Sequence, residues 1–269
     1  MDSDLARKRA ALSGKATHVL EARTLESSHK RLAELLTEGL NVLDVGCGTG
    51  AITYGIAKMI GPAGRVVGID SNPALIEKAR QTHNEIPGLS FMTADIFDLP
   101  FKEEFDIVTS ARVLQWLSSP AEALQKLKAA AKPGGRILIL DYNHEKIAWE
   151  PEPPLSMKSF YSAFLKWRSD AGMDNEIADH LPELFHKLGF ENVSITPQHE
   201  TTTKTDPDFL SRVRIWADVA GSRGLQMVQD GYVTEAERAR AEMEYLDWME
   251  KTAQSQTLYM LAVEGIKPR

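Results

Sequence analysis

A single cysteine, Cys47, occurs in the 269 residues. An internal disulfide is therefore impossible, no cysteine cluster is available for zinc, and no metal site is expected. A reducing compartment is the natural setting, so a cytoplasmic location is expected. Long apolar runs are missing too: none approaches the ~18 residues of a membrane-spanning helix. The opening residues Met1–Arg9 mix charges without an apolar stretch, unlike a secretory signal. Positive charge is in deficit, with 31 Lys and Arg against 38 Asp and Glu and a net charge of −7. That balance argues against a broad nucleic-acid surface, where neutralising phosphates calls for clustered cations. Repeats and low-complexity blocks are absent. What remains, 43% apolar and 26% charged residues, is the balance of a globular protein with one large domain, or one domain carrying insertions.

Alternation of strand and helix is the strongest pattern. Asn41–Val45 reads as a buried strand. It is followed by Gly46-Cys47-Gly48-Thr49-Gly50 and a helix whose apolar positions Ile52, Ile56, Met59 and Ile60 recur at helical spacing up to Gly61-Pro62. Arg65–Asp70 is a second strand, after which Asn72 as N-cap and Pro73 at the first helical position open a helix to about Asn84. Leu89–Ala94, Phe105–Ser110 and Arg136–Asp141 read as the third, fourth and fifth strands. The last two are separated by a helix that starts at a Ser119/Glu122 capping-box pattern and ends before the Pro133-Gly134-Gly135 turn. Near-continuous apolar strands alternating with helices predict a parallel sheet covered on both faces. Its ligand crevice should lie beyond the carboxyl ends of the strands, where the strand order reverses.

After residue 141 the rhythm breaks. Helices are predicted around Met157–Ala171 and Glu176–Leu188, the second stopped by Gly189, with a sixth strand at Phe190–Ile195 and a seventh at Thr257–Val263. Between those strands, Asp206-Pro207 and a Thr234/Glu237 capping box each predict a helix start. The expected organisation begins with an N-terminal helical segment (1–37) whose apolar contacts are Leu20, Leu25, Leu32, Leu35 and Leu36. A ligand-binding domain (38–199 and 257–269) carries helical insertions (142–175 and 200–256) that leave from strand ends and fold over the crevice as a lid.

The glycines at 46, 48 and 50 allow a tight turn with no Cβ between backbone and ligand, and N–H groups at a helix start suit an anionic group. Loops of this kind bind NAD, FAD, S-adenosylmethionine (SAM) or nothing. Spacing discriminates. A dinucleotide fingerprint is Gly-x-Gly-x-x-Gly, whereas here the third glycine comes one residue early and position 51 is Ala. Asp44, just ahead of the loop, repels a pyrophosphate and suits a ligand with a positive ammonium. Asp70, ending the second strand, is placed to accept from ribose hydroxyls, the alternative being a charge at a helix start. Asp95 is placed to accept from an exocyclic adenine amine, with the Ile96 N–H facing a ring nitrogen; a helix-start aspartate is again the alternative.

The stretch Val42-Leu43-Asp44-Val45-Gly46-Cys47-Gly48-Thr49-Gly50 resembles the first motif of the class I SAM-dependent methyltransferases. Asp70, Asp95-Ile96 and Lys132-Pro133-Gly134-Gly135 sit where that family's later motifs fall. Within it the chain is similar to the UbiE-like group of small-molecule methyltransferases, over about residues 20–196, with the seventh strand recovered near the C-terminus. These motifs are specific for fold and cofactor and poorly specific for substrate. The resemblance implies a Rossmann-like, seven-stranded, mostly parallel sheet with an antiparallel last strand and helices on both faces. It implies SAM as methyl donor, S-adenosylhomocysteine (SAH) as its product, and a small-molecule acceptor. It also implies a partner for the SAM carboxylate in the N-terminal segment, Arg23, for which a solvated helix arginine is the alternative. Ser71 and Ala111 complete a candidate cofactor set with Arg23, Asp44, Gly46, Gly48, Asp70, Asp95 and Ile96. No nucleic-acid partner is expected, and a monomer or homodimer is.

Methyl transfer is an in-line displacement at a sulfonium. Much of its catalysis comes from alignment in a water-poor pocket, so a general base is needed only when the acceptor must lose a proton early. His144, Tyr142 and Gln115 are the catalytic candidates, with a surface histidine as the alternative for His144. Arg112, Trp116, Trp149 and Phe164 are candidate substrate contacts. Many relatives carry a histidine at the position of Trp116, and this departure puts a histidine base at that point in doubt. Leu114-Gln115-Trp116 also resembles carboxyl methyltransferases of the trans-aconitate type, which points to a carboxylate acceptor. Phe160, Phe164 and Trp167 share a helical face that reads mostly as packing. Three other functions compete: an RNA (including tRNA) or DNA methyltransferase, whose exocyclic-amine chemistry usually goes with an Asn/Asp-Pro-Pro-aromatic motif that Ser110–Val113 is not, an NAD-dependent oxidoreductase, which the glycine spacing opposes, and a SAM-binding regulatory protein without turnover.

Overall fold

The computed structural model describes residues 2–10, 23–83 and 86–269. Its strands are β1 (Asn41–Val45), β2 (Arg65–Asp70), β3 (Leu89–Thr93), β4 (Phe105–Ala111), β5 (Ala131–Tyr142), β6 (Ala148–Glu150), β7 (Glu191–Pro197), β8 (Glu200–Thr203), β9 (Ser255–Leu258) and β10 (Met260–Ile266). Seven of them form one sheet in the order β3-β2-β1-β4-β5-β10-β7. The first five pair in parallel, and β10 runs antiparallel to both β5 and β7. Central β1, β2 and the second half of β5 are almost wholly buried, as their apolar runs require, whereas edge strand β7 is mostly exposed. The chain enters at β1, builds outward to β3, then returns to place β4 on the other side of β1. That reversal opens a crevice at the carboxyl ends of β1 and β4.

The helices are α1 (Asp2–Ala10), α2 (Leu25–Ser28), α3 (Lys30–Leu35), α4 (Ala51–Ile60), α5 (Pro73–Thr82), α6 (Pro120–Ala130), α7 (Leu155–Ser169), α8 (Ile177–Lys187), α9 (Phe209–Val213), α10 (Ile215–Gly221), α11 (Arg223–Gln229) and α12 (Glu235–Lys251). On one sheet face Leu124 and Leu127 of α6 and Leu181 and Phe185 of α8 pack against Val45, Val108 and Ile139. On the other, Leu25, Leu32, Ile56 and Ile60 cover Val42, Val66 and Leu140. A separate core of Phe160, Phe164, Trp167, Trp216, Tyr245 and Trp248 joins α7, α10 and α12 beside the crevice. None of the helices among the described residues is long and apolar enough to cross a membrane.

Several expectations are corrected. The run Thr257–Val263 is two strands divided at Tyr259, β9 pairing with β6 and β8 in a small antiparallel sheet of order β6-β9-β8, β10 entering the main sheet. Residues 200–256 are therefore bounded by strands as well as filled with helices. Asp206 does not start a helix. Its Oδ2 accepts from Thr203 N at 2.7 Å, tying off β8, and α9 begins at Phe209. The Thr234/Glu237 capping box forms, with Glu237 N donating to Thr234 Oγ1 at 3.2 Å. The Ser119/Glu122 box does not: Ser119 is the N-cap but its side chain makes no capping bond, and both residues line the crevice instead. Leu20 and Asn84 lie outside the described residues.

Candidate active site

The crevice over the carboxyl ends of the strands encloses about 1060 Å³. That is just above the roughly 300–1,000 Å³ typical of a pocket for one small ligand.

At one end stands the glycine loop. Gly46, Gly48 and Gly50 have φ of 78°, 56° and 80°, a region in which L side chains are strained. The crowding at two of them is internal: a Cβ would lie 2.2 Å from Val113 Cγ2 at Gly46 and 2.6 Å from Phe91 Cζ at Gly50. The loop amides are also spent. Gly46 N and Cys47 N both donate to Ile69 O, at 2.8 and 2.9 Å, Gly48 N donates to Asp70 Oδ2 at 3.0 Å, and Gly50 N to Cys47 O at 3.0 Å. The expectation that this turn offers N–H groups to an anion is thus overturned at residues 46–48, since each amide already has a partner. A pyrophosphate has no donors there.

Asp70 accepts from Asn72 N at 2.9 Å on Oδ1 and from Gly48 N on Oδ2. A carboxylate has about four lone-pair sites, and with backbone N–H groups of Gly48, Ser71 and Asn72 around it, Asp70 keeps acceptor capacity for a ligand in the crevice it lines. Burial pushes its pKa up. Asp95 lines the mouth, accepting from Phe97 N at 3.0 Å and pairing with Arg7 of α1 at 2.7 Å. Asp44 is buried behind the loop and off the crevice wall, accepting from Thr53 Oγ1 at 2.7 Å. Burial drives it up to about 6 against that hydrogen bond, and the nearby Asp70 charge adds to the rise. Ser71, Ile96 and Ala111 line the crevice, as does Arg23, whose pKa is lowered by burial and by the like charge of Arg112.

Arg112 reaches the crevice wall, but its guanidinium is tied to the fold. Nε donates to Tyr142 Oη at 3.0 Å, and Nη2 to Ser28 O at 3.0 Å and to Glu200. Its charge is matched by Glu200, so the structure does not present it as a free anchor for an acidic substrate. Tyr142 is buried beside it, on the crevice wall.

The other end of the crevice is aromatic. His144, at the start of a short 3₁₀ turn after β5, is buried, with Nε2 2.6 Å from Gln115 Oε1. Gln115 Nε2 donates to Arg112 O at 3.2 Å, which leaves Oε1 as the acceptor and assigns the proton to His144 Nε2. Nδ1 then carries the lone pair. Its neighbour, the Tyr161 hydroxyl 3.5 Å away, gives its proton to His144 O at 2.6 Å. Burial, helped by the charge of Arg168, holds His144 well below 6.5 and hence neutral. Trp116 and Phe164 line this end. Trp149 does not: its indole N–H donates to Tyr245 Oη at 3.3 Å and its ring packs edge-on against Tyr161. Sequence reasoning missed Trp216 and Arg223 on the crevice wall and Arg168 behind it. It also missed Ala6, Arg7 and Ala10 of α1 across the mouth. These come from segments more than 30 residues from the nearest motif, and no local pattern marks them.

A sequence family described as Methyltransferase domain matches residues 36–195. The chain belongs to this family. It is a class I SAM-dependent methyltransferase of UbiE-like type, and SAM is its methyl donor. A demethylmenaquinone methyltransferase of Lactococcus lactis is 28% identical over 204 residues, 71% of this methyltransferase and 79% of that one. An uncharacterized 37.1 kDa protein in a Streptomyces fradiae transposon is 37% identical over 102 residues, covering 38% of this chain and only 30% of that protein. Among solved structures, Haemonchus contortus phosphoethanolamine N-methyltransferase 2 in complex with SAM aligns with all of this chain and 60% of its own, at 18% identity and a TM-score of 0.59. A SAM-dependent methyltransferase from Aquifex aeolicus aligns with 72% of this chain and 93% of its own, at 22% identity and a TM-score of 0.51. These structural likenesses concern the fold.

Proposed function

We propose that this methyltransferase methylates a small molecule held between the sheet and the helices α7 and α9–α12, which together with α1 serve as a lid. The observation that carries the reading is one continuous crevice that joins the Asp70/Asp95 end to the aromatic end. The similarity to a demethylmenaquinone methyltransferase supports a small acceptor. In this arrangement Asp70 accepts from the ribose hydroxyls, Asp95 from the adenine amine, and Arg23, backed by the Arg112–Glu200 pair, receives the carboxylate. Asp44 places negative charge behind the loop near the ammonium. The methyl donor supplies the electrophilic carbon. The chain's own contribution is alignment, exclusion of water by Trp116, Phe164 and Trp216, and a proton acceptor at His144 Nδ1 for an acceptor that must lose a proton. Label from methyl-labelled SAM is expected in a low-mass product of a metabolite extract, identified by mass. Label in tRNA alone, or SAM binding without turnover, refutes the reading.

Two variants test its parts. His144→Gln should lower kcat by about 10²–10⁴-fold with SAM affinity held within about twofold. Because His144 is held well below 6.5, the base is already deprotonated at neutral pH. The parent's kcat should accordingly stay flat as pH falls from 8 to 6.5, and a decline centred near 7 would remove His144 from the role. Trp216→Ala opens the lid wall and should raise the acceptor KM by about tenfold or more, the scale of losing a buried aromatic contact, with little change in SAM affinity. Equal damage to both would mean that α10 is not part of an acceptor lid.

A further inference from the structure

Arg223, the first residue of α11, lines the aromatic end of the crevice with its guanidinium 3.9 Å from the Trp116 ring centroid. On the other contact of that ring stands Arg168, 4.6 Å from the same centroid, fully buried and with Nη1 lacking any hydrogen-bond partner. Two guanidiniums therefore share one indole in a water-poor wall. Neither has a carboxylate within ion-pair distance among the described residues. Asp218 is taken by Arg214 at 3.0 Å, and Asp230 by Arg9 at 3.3 Å and by the Trp167 indole N–H at 2.7 Å. Asp141 and Asp174 act on Arg168 only at longer range. Arg223 donates to Arg9 O and to Ala10 O, the last carbonyls of α1. A guanidinium has five N–H donors, so others remain for a ligand. Burial and the Arg168 charge push Arg223 down to about 10, the signature of a cation short of a counter-ion. This local surplus stands out in a chain of net charge −7. Of the other arginines lining the crevice, Arg112 pairs with Glu200 and Arg7 with Asp95, while Arg23 stands at the end assigned above to the SAM carboxylate.

We propose that the acceptor of this enzyme is an organic anion with a planar or apolar body, and that Arg223 receives its carboxylate or phosphate while Trp116 and Trp216 face the body. This rests on the methyltransferase reading and names its acceptor class. An arginine fork suits either oxyanion, and the missing counter-charge is what such a ligand brings. Arg168 is the positioning residue behind the site: its Nη2 donates to Gln115 O at 2.8 Å and its Nε to Asn175 Oδ1 at 2.8 Å, which holds the charge under Trp116.

The test is calorimetry on the full chain loaded with SAH, titrated with benzoate, phenyl phosphate and uncharged benzamide. One or both anions are expected to bind at least about tenfold more tightly than benzamide, the scale of one charge-assisted contact, and their ranking tells carboxylate from phosphate. Arg223→Met should abolish that preference with SAH affinity within about twofold. Arg9→Met keeps the Arg9 carbonyl that Arg223 uses while loosening α1, and should retain the preference. The proposal is overturned if neither anion out-competes benzamide, if Arg223→Met keeps the preference, or if Arg9→Met loses it as fully, which would place the effect in α1 docking. Failure to bind SAH at all would overturn the methyltransferase reading itself, and this proposal with it.

Discussion

Asp70→Ala is expected to weaken SAM binding by roughly 1–3 kcal/mol, about 5- to 150-fold. Two effects combine. The ribose hydroxyls lose their acceptor inside a partly dry crevice, where an unmet donor is costly. The loop also loses its tether, because Asp70 Oδ2 holds Gly48 N at 3.0 Å and Oδ1 holds Asn72 N at 2.9 Å. Asp70→Asn keeps one carbonyl oxygen and should fall between the parent and the alanine variant. Calorimetric titration with SAH ranks the three proteins. Equal affinity in all of them would show that the ribose lies elsewhere.

Gly46→Ala should cost about 2–5 kcal/mol of stability, combining a positive-φ alanine with overpacking. For a chain of this size that is a fall in Tm on the order of 5–15 °C. The conformational part is common to any glycine at positive φ. The steric part is specific, since the new Cβ would lie 2.2 Å from Val113 Cγ2. Gly39 supplies the comparison: it has φ of 81° and open space where its Cβ would stand. Gly39→Ala should therefore lose only the conformational share, and Gly46→Ala distinctly more. Adding Val113→Ala to Gly46→Ala should restore part of the difference. Matching Tm losses for the two single variants would mean that the loop glycine answers to φ alone.

The parallel core was legible because central strands buried on both faces must be apolar throughout. Val42-Leu43, Val66-Val67 and Ile137–Leu140 could be little else, and all are buried. The small second sheet was not legible. β6 has three residues and β8 reads Glu200-Thr201-Thr202-Thr203, without apolar alternation, and each pairs with β9 across more than 50 residues of chain. Candidate cofactor residues were found by their place at strand ends, which local pattern reveals. Which insertion aromatics line the crevice was not: Trp149 turns its indole to Tyr245, and Trp216, unmarked in the sequence, takes the crevice wall.

By itself, then, the sequence determined the order of β1 to β5 with the helices between them, the tight glycine turn and the acidic residues at or just past the carboxyl ends of β1, β2 and β3. These depend on apolar periodicity, backbone conformation and short spacing, all properties of a few adjacent residues. Tertiary structure alone decided that the loop amides are consumed by Ile69 and Asp70, that Arg112 is neutralised by Glu200, and that Arg223 and Arg168 meet on Trp116 without a counter-ion among the described residues. Each of those outcomes is a balance of charge or hydrogen bonds between groups far apart in the chain. Such a balance exists only once packing has set the distances over which charges act and polar groups pair.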